Sequence, residues 1–130
     1  MKKGYTRLME EAYKAKENAY APYSEFKVGA TILTKDGKTI DGCNVENSAY
    51  GSTMCAERNA IAKAVSMGYK PGDFEAIAIA SSGENFSPCG SCRQVINEFG
   101  EDINLVFEWN NEVIVESLKP MLPYNFKLNN

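Results

Sequence analysis

The sequence predicts an α/β protein built on a mixed five-stranded sheet with helices packed on its faces. Two observations lead there. Three segments carry apolar residues at helical spacing and five short runs are apolar or β-branched, in the order α, β, β, α, β, α, β, β. An Asp36-Gly37 pair between the first two strands is a hairpin signal, whereas helical segments separate the later strands.

Each element has its own warrant. Over residues 4–20, Tyr5, Leu8, Met9, Ala12, Ala15 and Ala19 form an apolar stripe that Pro22 ends. Glu10, Glu11, Lys14, Lys16 and Glu17 belong to the solvated face of that helix. Strands are expected at 26–34 and 38–43, on either side of the Asp-Gly turn. A helix from 53 or 54 to about 67 carries Ala56, Ala60, Ile61, Ala64 and Val65 and is closed by Gly68 and Pro71. Residues 75–80 form a short apolar strand, and 91–99 a helix that stops at Gly100. Strands follow at 103–108 and 112–115, around Asn110 and Asn111, with a short helix expected near 116–119.

The chain has 130 residues, 44% of them apolar, without a repeat, a low-complexity tract or a dividing linker. A single domain over 1–130 with a sizeable core is therefore expected. A net charge of −3 provides no sequence-wide basic footprint, so nucleic acid is not an expected partner. No run approaches the roughly 18 apolar residues of a membrane span, and Met1-Lys2-Lys3-Gly4 opens an amphipathic pattern, not a secretory leader. The expected location is the cytoplasm, where cysteines serve as thiols or metal ligands more readily than as disulfides.

Cysteine is where the chemistry concentrates. Cys55-Ala56-Glu57-Arg58 and Pro88-Cys89-Gly90-Ser91-Cys92-Arg93 together supply three thiolates for a zinc ion and a carboxylate that need not bind it. The chain contains no histidine, so proton transfer near neutral pH falls to a carboxylate, a thiol, a lysine or an activated water. Glu57 is the candidate, provided its surroundings tune it. Cys55 and Glu57 are two residues apart, about 200° around a helix, so they converge only at a helix mouth. There the helix dipole and unpaired N–H groups favour thiolate. Cys89 precedes the next helix and Cys92 falls in its first turn, so two helix N-termini would face one metal. Arg58 and Arg93, each directly after a motif cysteine or glutamate, could donate hydrogen bonds to sulfur and withdraw charge from the metal.

These residues resemble the zinc deaminases, whose general signature pairs a catalytic glutamate with Pro-Cys-x-x-Cys. Within that class, Ala21-Pro22-Tyr23-Ser24-Glu25-Phe26, Val28-Gly29-Ala30 and Gly42-Cys43-Asn44-Val45-Glu46-Asn47 resemble the small homotetrameric cytidine deaminases, and the likeness extends to Leu122, Pro123 and Phe126. The resemblance implies a three-layer fold with helices on both faces of the sheet, one Zn²⁺ per subunit held by Cys55, Cys89 and Cys92, and deamination of cytidine and deoxycytidine in pyrimidine salvage. It implies that Glu57 moves protons from the attacking water to N3 of the pyrimidine and to the departing ammonia. Asn44 and Glu46 would grip the ribose hydroxyls, backbone groups of Ala56 and Ser87 would contact the base, and Phe26 would pack on its ring. Tyr50 and Phe126 would reach a neighbouring subunit's pocket in a homotetramer. Lys27, Ser48 and the Tyr124-Asn125 pair depart from the family's usual residues, at positions that bear on subunit contact and affinity.

Other readings stand beside this one. A closed structural zinc knuckle would use Cys43 as fourth ligand, although a buried thiol acting as a small hydrophobe is the simpler role for Cys43. A deaminase of a nucleoside-like antibiotic would share the zinc motifs. A polynucleotide-editing deaminase would need interleaved basic and aromatic residues along a single-strand groove, and the chain has no obvious one.

Overall fold

The computed structural model describes residues 2–49, 55–82, 90–100 and 102–117, with the side chains of 2–4 and 90–94 outside the description. The elements are α1 (Lys2–Lys16), β1 (Val28–Thr34), β2 (Thr39–Cys43), α2 (Ala56–Ser66), β3 (Phe74–Ser81), α3 (Gly90–Phe99), β4 (Asn104–Trp109) and β5 (Glu112–Ser117). The sheet order is β2-β1-β3-β4-β5. β1 pairs antiparallel with both β2 and β3, β3 and β4 are parallel, and β4 and β5 are antiparallel. The expected mixed five-stranded sheet is thus present.

Period-two alternation divides the sheet into two faces. In β3, Ala76, Ala78 and Ala80 join Tyr5, Leu8, Met9 and Ala12 of α1 in one buried cluster. Ile77 and Ile79 join Ala56, Ala60, Ile61 and Ala64 of α2 and Ile96 of α3 in another. Small residues on the first face let α1 lie close, and larger ones on the second fill the space under two helices. The result is the three-layer arrangement of α1, sheet, and α2 with α3.

Two glycines set how closely the helices approach. A Cβ on Gly29 would stand 2.2 Å from the Ala12 carbonyl oxygen of α1, and one on Gly42 would stand 2.6 Å from the Ala56 oxygen of α2. Asn59 adds a bond, its Nδ2 donating to the Cys43 carbonyl at 2.7 Å. The first turn of α2 is therefore pinned to the end of β2.

The structure corrects some boundaries. α1 ends at Lys16, not near residue 20, although Tyr5, Leu8, Met9, Ala12 and Ala15 form the expected buried stripe. The cause is long-range: Tyr20 N–H donates to the Asn44 carbonyl at 3.0 Å and Glu46 N–H to the Tyr20 carbonyl at 2.8 Å, and this bridge needs extended backbone. β1 begins at Val28 because the Asn44 side chain occupies the backbone of 26–28. The short helix expected near 116–119 gives way at its start to β5, where Glu116 and Ser117 pair with Leu105 and Asn104; residues 118 and 119 lie outside the described residues. No described helix is long and apolar enough to cross a membrane.

Candidate active site

Topology brings the starts of α2 and α3, the helices adjoining the two cysteine motifs in sequence, to one end of the sheet. β2 and β3 both run antiparallel to β1, and Gly29 pairs with Cys43 on one side and Ala80 on the other. The chain therefore leaves β2 and β3 at the same edge, about two strand spacings, or roughly 9.6 Å, apart. The next helices, α2 and α3, share one face of the sheet and touch each other. Their N-termini open at that edge, where ligands of open α/β sheets usually bind.

Cys55 is the N-cap of α2, with extended backbone at φ −73° and ψ 152° and no capping hydrogen bond from its side chain. Its thiol is half-buried and free of a disulfide. Glu57 lies in the first turn and is 2% exposed, while Ala56 is 1% exposed. A buried carboxylate two residues inside a helix mouth is unusual for a surface dipole partner and suited to a proton carrier in a dry pocket. Arg58 follows, half-buried. The helix mouth expected for Cys55 and Glu57 is thus in place.

On α3, Cys92 is the third residue of the helix, in its first turn as expected. Its side chain and that of Arg93 lie outside the description, as do residues Tyr50, Ser87, Cys89 and Phe126. Among the described residues no three histidine, cysteine, aspartate or glutamate side chains gather into a metal site, as expected when only one of the three candidate ligands has a described side chain. The donor set nonetheless suits zinc in its chemistry: an uncapped Cys55 thiol at a helix N-terminus, two further cysteines three apart in the sequence at Cys89 and Cys92, and a carboxylate, Glu57, that need not be a ligand. Burial pushes the Cys43 thiol above its ordinary range, which fits a small hydrophobe better than a ligand.

Asn44 and Glu46 both turn toward the segment before β1. Asn44 is 8% exposed; its Oδ1 accepts from Val28 N–H at 2.9 Å and its Nδ2 donates to the Phe26 carbonyl at 2.9 Å. These bonds leave the side chain one amide N–H to offer. Glu46 accepts from Tyr23 N–H at 3.0 Å, Ser24 N–H at 3.1 Å and the Ser24 hydroxyl. The Ser24 hydroxyl bond, opposed next by desolvation and helped by the two backbone bonds, holds the Glu46 carboxyl below its usual range. Phe26 is half-buried against the cluster beneath α2 and α3.

Sequence reasoning missed three participants. Ser24, Asn59 and Ser82 are short polar residues whose partners lie far along the chain. Lys27 and Ser82 bond reciprocally, Lys27 N–H to the Ser82 hydroxyl at 3.1 Å and Ser82 N–H to the Lys27 carbonyl at 2.9 Å. Lys27 thus uses a backbone donor that proline would lack.

The three-layer α/β/α fold, with a buried glutamate and a cysteine at one helix mouth, is the arrangement that the resemblance to the zinc deaminases implies. The family model described as the cytidine and deoxycytidylate deaminase zinc-binding region matches residues 2–108, and the chain belongs to that family. A cytidine deaminase of Sporosarcina psychrophila is 54% identical over 94 residues, 72% of this chain and 68% of the relative. The crystal structure of the cytidine deaminase from Burkholderia pseudomallei superposes with a TM-score of 0.87 at 47% identity, covering 93% of this chain and 98% of that one. A blasticidin-S deaminase of Bacillus cereus is 32% identical over 111 residues, 78% of each chain. The antibiotic reading is the less favoured one on that difference in identity.

Proposed function

We propose that this chain is a zinc-dependent hydrolase that converts cytidine and deoxycytidine to uridine and deoxyuridine with release of ammonia. The observation that carries the proposal is Glu57, buried in the first turn of α2 two residues after Cys55. Cys55, Cys89 and Cys92 would hold one Zn²⁺, with Arg58 and Arg93 beside their sulfurs. When bound, zinc supplies a Lewis acid that makes water a nucleophile near neutral pH.

The remaining steps belong to the protein's own groups. Attack at C4 of the pyrimidine needs N3 protonated and the amino group made a leaving group. Glu57 takes a proton from the attacking water, delivers it to N3, and then carries the hydroxyl proton to the departing nitrogen. Its burial keeps bulk water from competing for the proton. Phe26 packs against the base, whose polar edge meets backbone groups of Ala56 and Ser87.

The ribose is read by complementary partners. Asn44 has an N–H left to donate and Glu46 is held ionised as an acceptor, so a hydroxyl would accept from the first and donate to the second. A substrate lacking hydroxyls would leave these groups unpaired, which is how such a site rejects it.

The proposal extends to a single domain over 1–130, to a cytoplasmic location, where thiols stay reduced, and to a homotetramer in which Tyr50 and Phe126 complete a neighbour's pocket. Exposed apolar groups support assembly: Tyr20, Tyr23 and Val45 beside the sugar-binding segment, and Val65 and Met67 on the outer end of α2. Light scattering of the purified protein tests it, a monomer being the contrary result.

The activity test follows the absorbance change from cytosine to uracil with zinc-loaded protein on cytidine and deoxycytidine. Turnover should fall at least about a hundredfold in Glu57→Ala while zinc is retained. No turnover by the folded, zinc-loaded protein would overturn the proposal.

A further inference from the structure

We propose that Ser24 is a positioning residue for ribose recognition, its hydroxyl tying the carboxylate of Glu46 to the backbone at Phe26. The inference rests on the reading that Glu46 grips the sugar and adds a residue to it. The Ser24 hydroxyl donates to Glu46 Oε2 and accepts from Phe26 N–H at 3.0 Å. One oxygen thus joins the proposed sugar contact to the proposed base contact. Backbone N–H groups of Tyr23 and Ser24 hold the other carboxylate oxygen, Oε1, at 3.0 and 3.1 Å.

Two further observations show that the conformation of this loop is held in place. Glu25, between Ser24 and Phe26, has φ +61°, a left-handed conformation that costs a non-glycine residue energy. The turn persists because Ser24 closes it from one side and Asn44 holds the Phe26 carbonyl from the other. Three of the roughly four lone-pair positions of a carboxylate are then taken. One remains, with its direction set by the other three.

Ser24 itself is exposed, so replacing it tests orientation without removing buried volume. Its loss would free Oε2 to rotate about Cγ–Cδ, while Asn44 still holds the Phe26 carbonyl, so sugar binding is weakened more than base binding or the chemistry at C4.

The experiment compares cytidine with 2′,3′-dideoxycytidine for the zinc-loaded wild type, Ser24→Ala, Ser24→Thr and Glu46→Gln. For Ser24→Ala, kcat/KM on cytidine should fall about tenfold, mainly through KM, with dideoxycytidine changed by no more than about twofold. Ser24→Thr, which keeps the hydroxyl, should restore most of the loss. Equal losses on both substrates, or none on either, would overturn the role of Ser24. If Glu46→Gln leaves the preference for cytidine unchanged, the sugar-binding reading itself fails. A preference altered by Glu46→Gln but not by Ser24→Ala rejects Ser24 alone.

Discussion

Gly42 of β2 and Ala60 of α2 meet backbone to backbone: a Cβ at Gly42 would stand 2.5 Å from the Ala60 nitrogen. Real atoms do not approach so closely, so any side chain at 42 must move α2 and with it the mouth that carries Cys55 and Glu57. Gly29 makes the equivalent contact on the other face, 2.4 Å from the nitrogen of Lys16 in α1.

The two glycines therefore predict different failures. Gly42→Ala and Gly29→Ala should each destabilise the fold by at least about 1 to 3 kcal/mol through overpacking. Only Gly42→Ala should also weaken zinc retention, because α2 carries a proposed ligand, Cys55, at its mouth and α1 carries none. Thermal denaturation together with zinc content per chain checks this; equal zinc loss in both variants would place the effect in general unfolding.

Cys43 and Cys55 should separate in the same assay. Cys55→Ala should abolish tight zinc binding, whereas Cys43→Ala should keep stoichiometric zinc. Loss of zinc in Cys43→Ala would instead revive the closed four-cysteine site.

Asn44 carries both structure and proposed recognition. Asn44→Ala leaves the Val28 N–H and Phe26 carbonyl without their side-chain partner. A loss of roughly 1 to 3 kcal/mol per buried group left unpaired is expected. Chemical denaturation should register this, and KM for cytidine should rise as well. Unchanged stability would mean that water replaces the amide.

Tyr13 predicts an alkaline transition. Burial first, then its hydrogen bond to Glu108, pushes the phenol up to about 12 from its ordinary 10.0. Because the folded value lies above the unfolded one, folding favours the protonated phenol. Its contribution is whole below about pH 10 and is lost as pH rises through 12. Tyr13→Phe should flatten that part of the stability profile, measured by denaturation across alkaline pH. An unaltered alkaline slope would show that Tyr13 does not control it.

How legible the protein was in its sequence depended on the range of the interaction. The buried stripe of α1 followed from spacing alone, since Tyr5, Leu8, Met9, Ala12 and Ala15 sit on one face of any α-helix. The end of that helix did not follow, because the competing partner of Tyr20 is Asn44, in another element. The short helix near 116 yielded to strand for the same reason: Glu116 and Ser117 are claimed by β4 across the sheet.

The sequence by itself determined the chemistry available: three clustered cysteines, one glutamate at a helix start, and no histidine to share its work. It also determined which segments alternate between strand and helix, because periodicity is a local property of the chain. Only the tertiary structure decided that β2 and β3 flank β1 and so open α2 and α3 at one edge. Only there did Asn44 and Glu46 acquire partners in the 23–28 segment, 16 to 23 residues away in the chain. Side-chain hydrogen bonds of that span depend on how strands are ordered and how closely helices pack, and no local pattern encodes either.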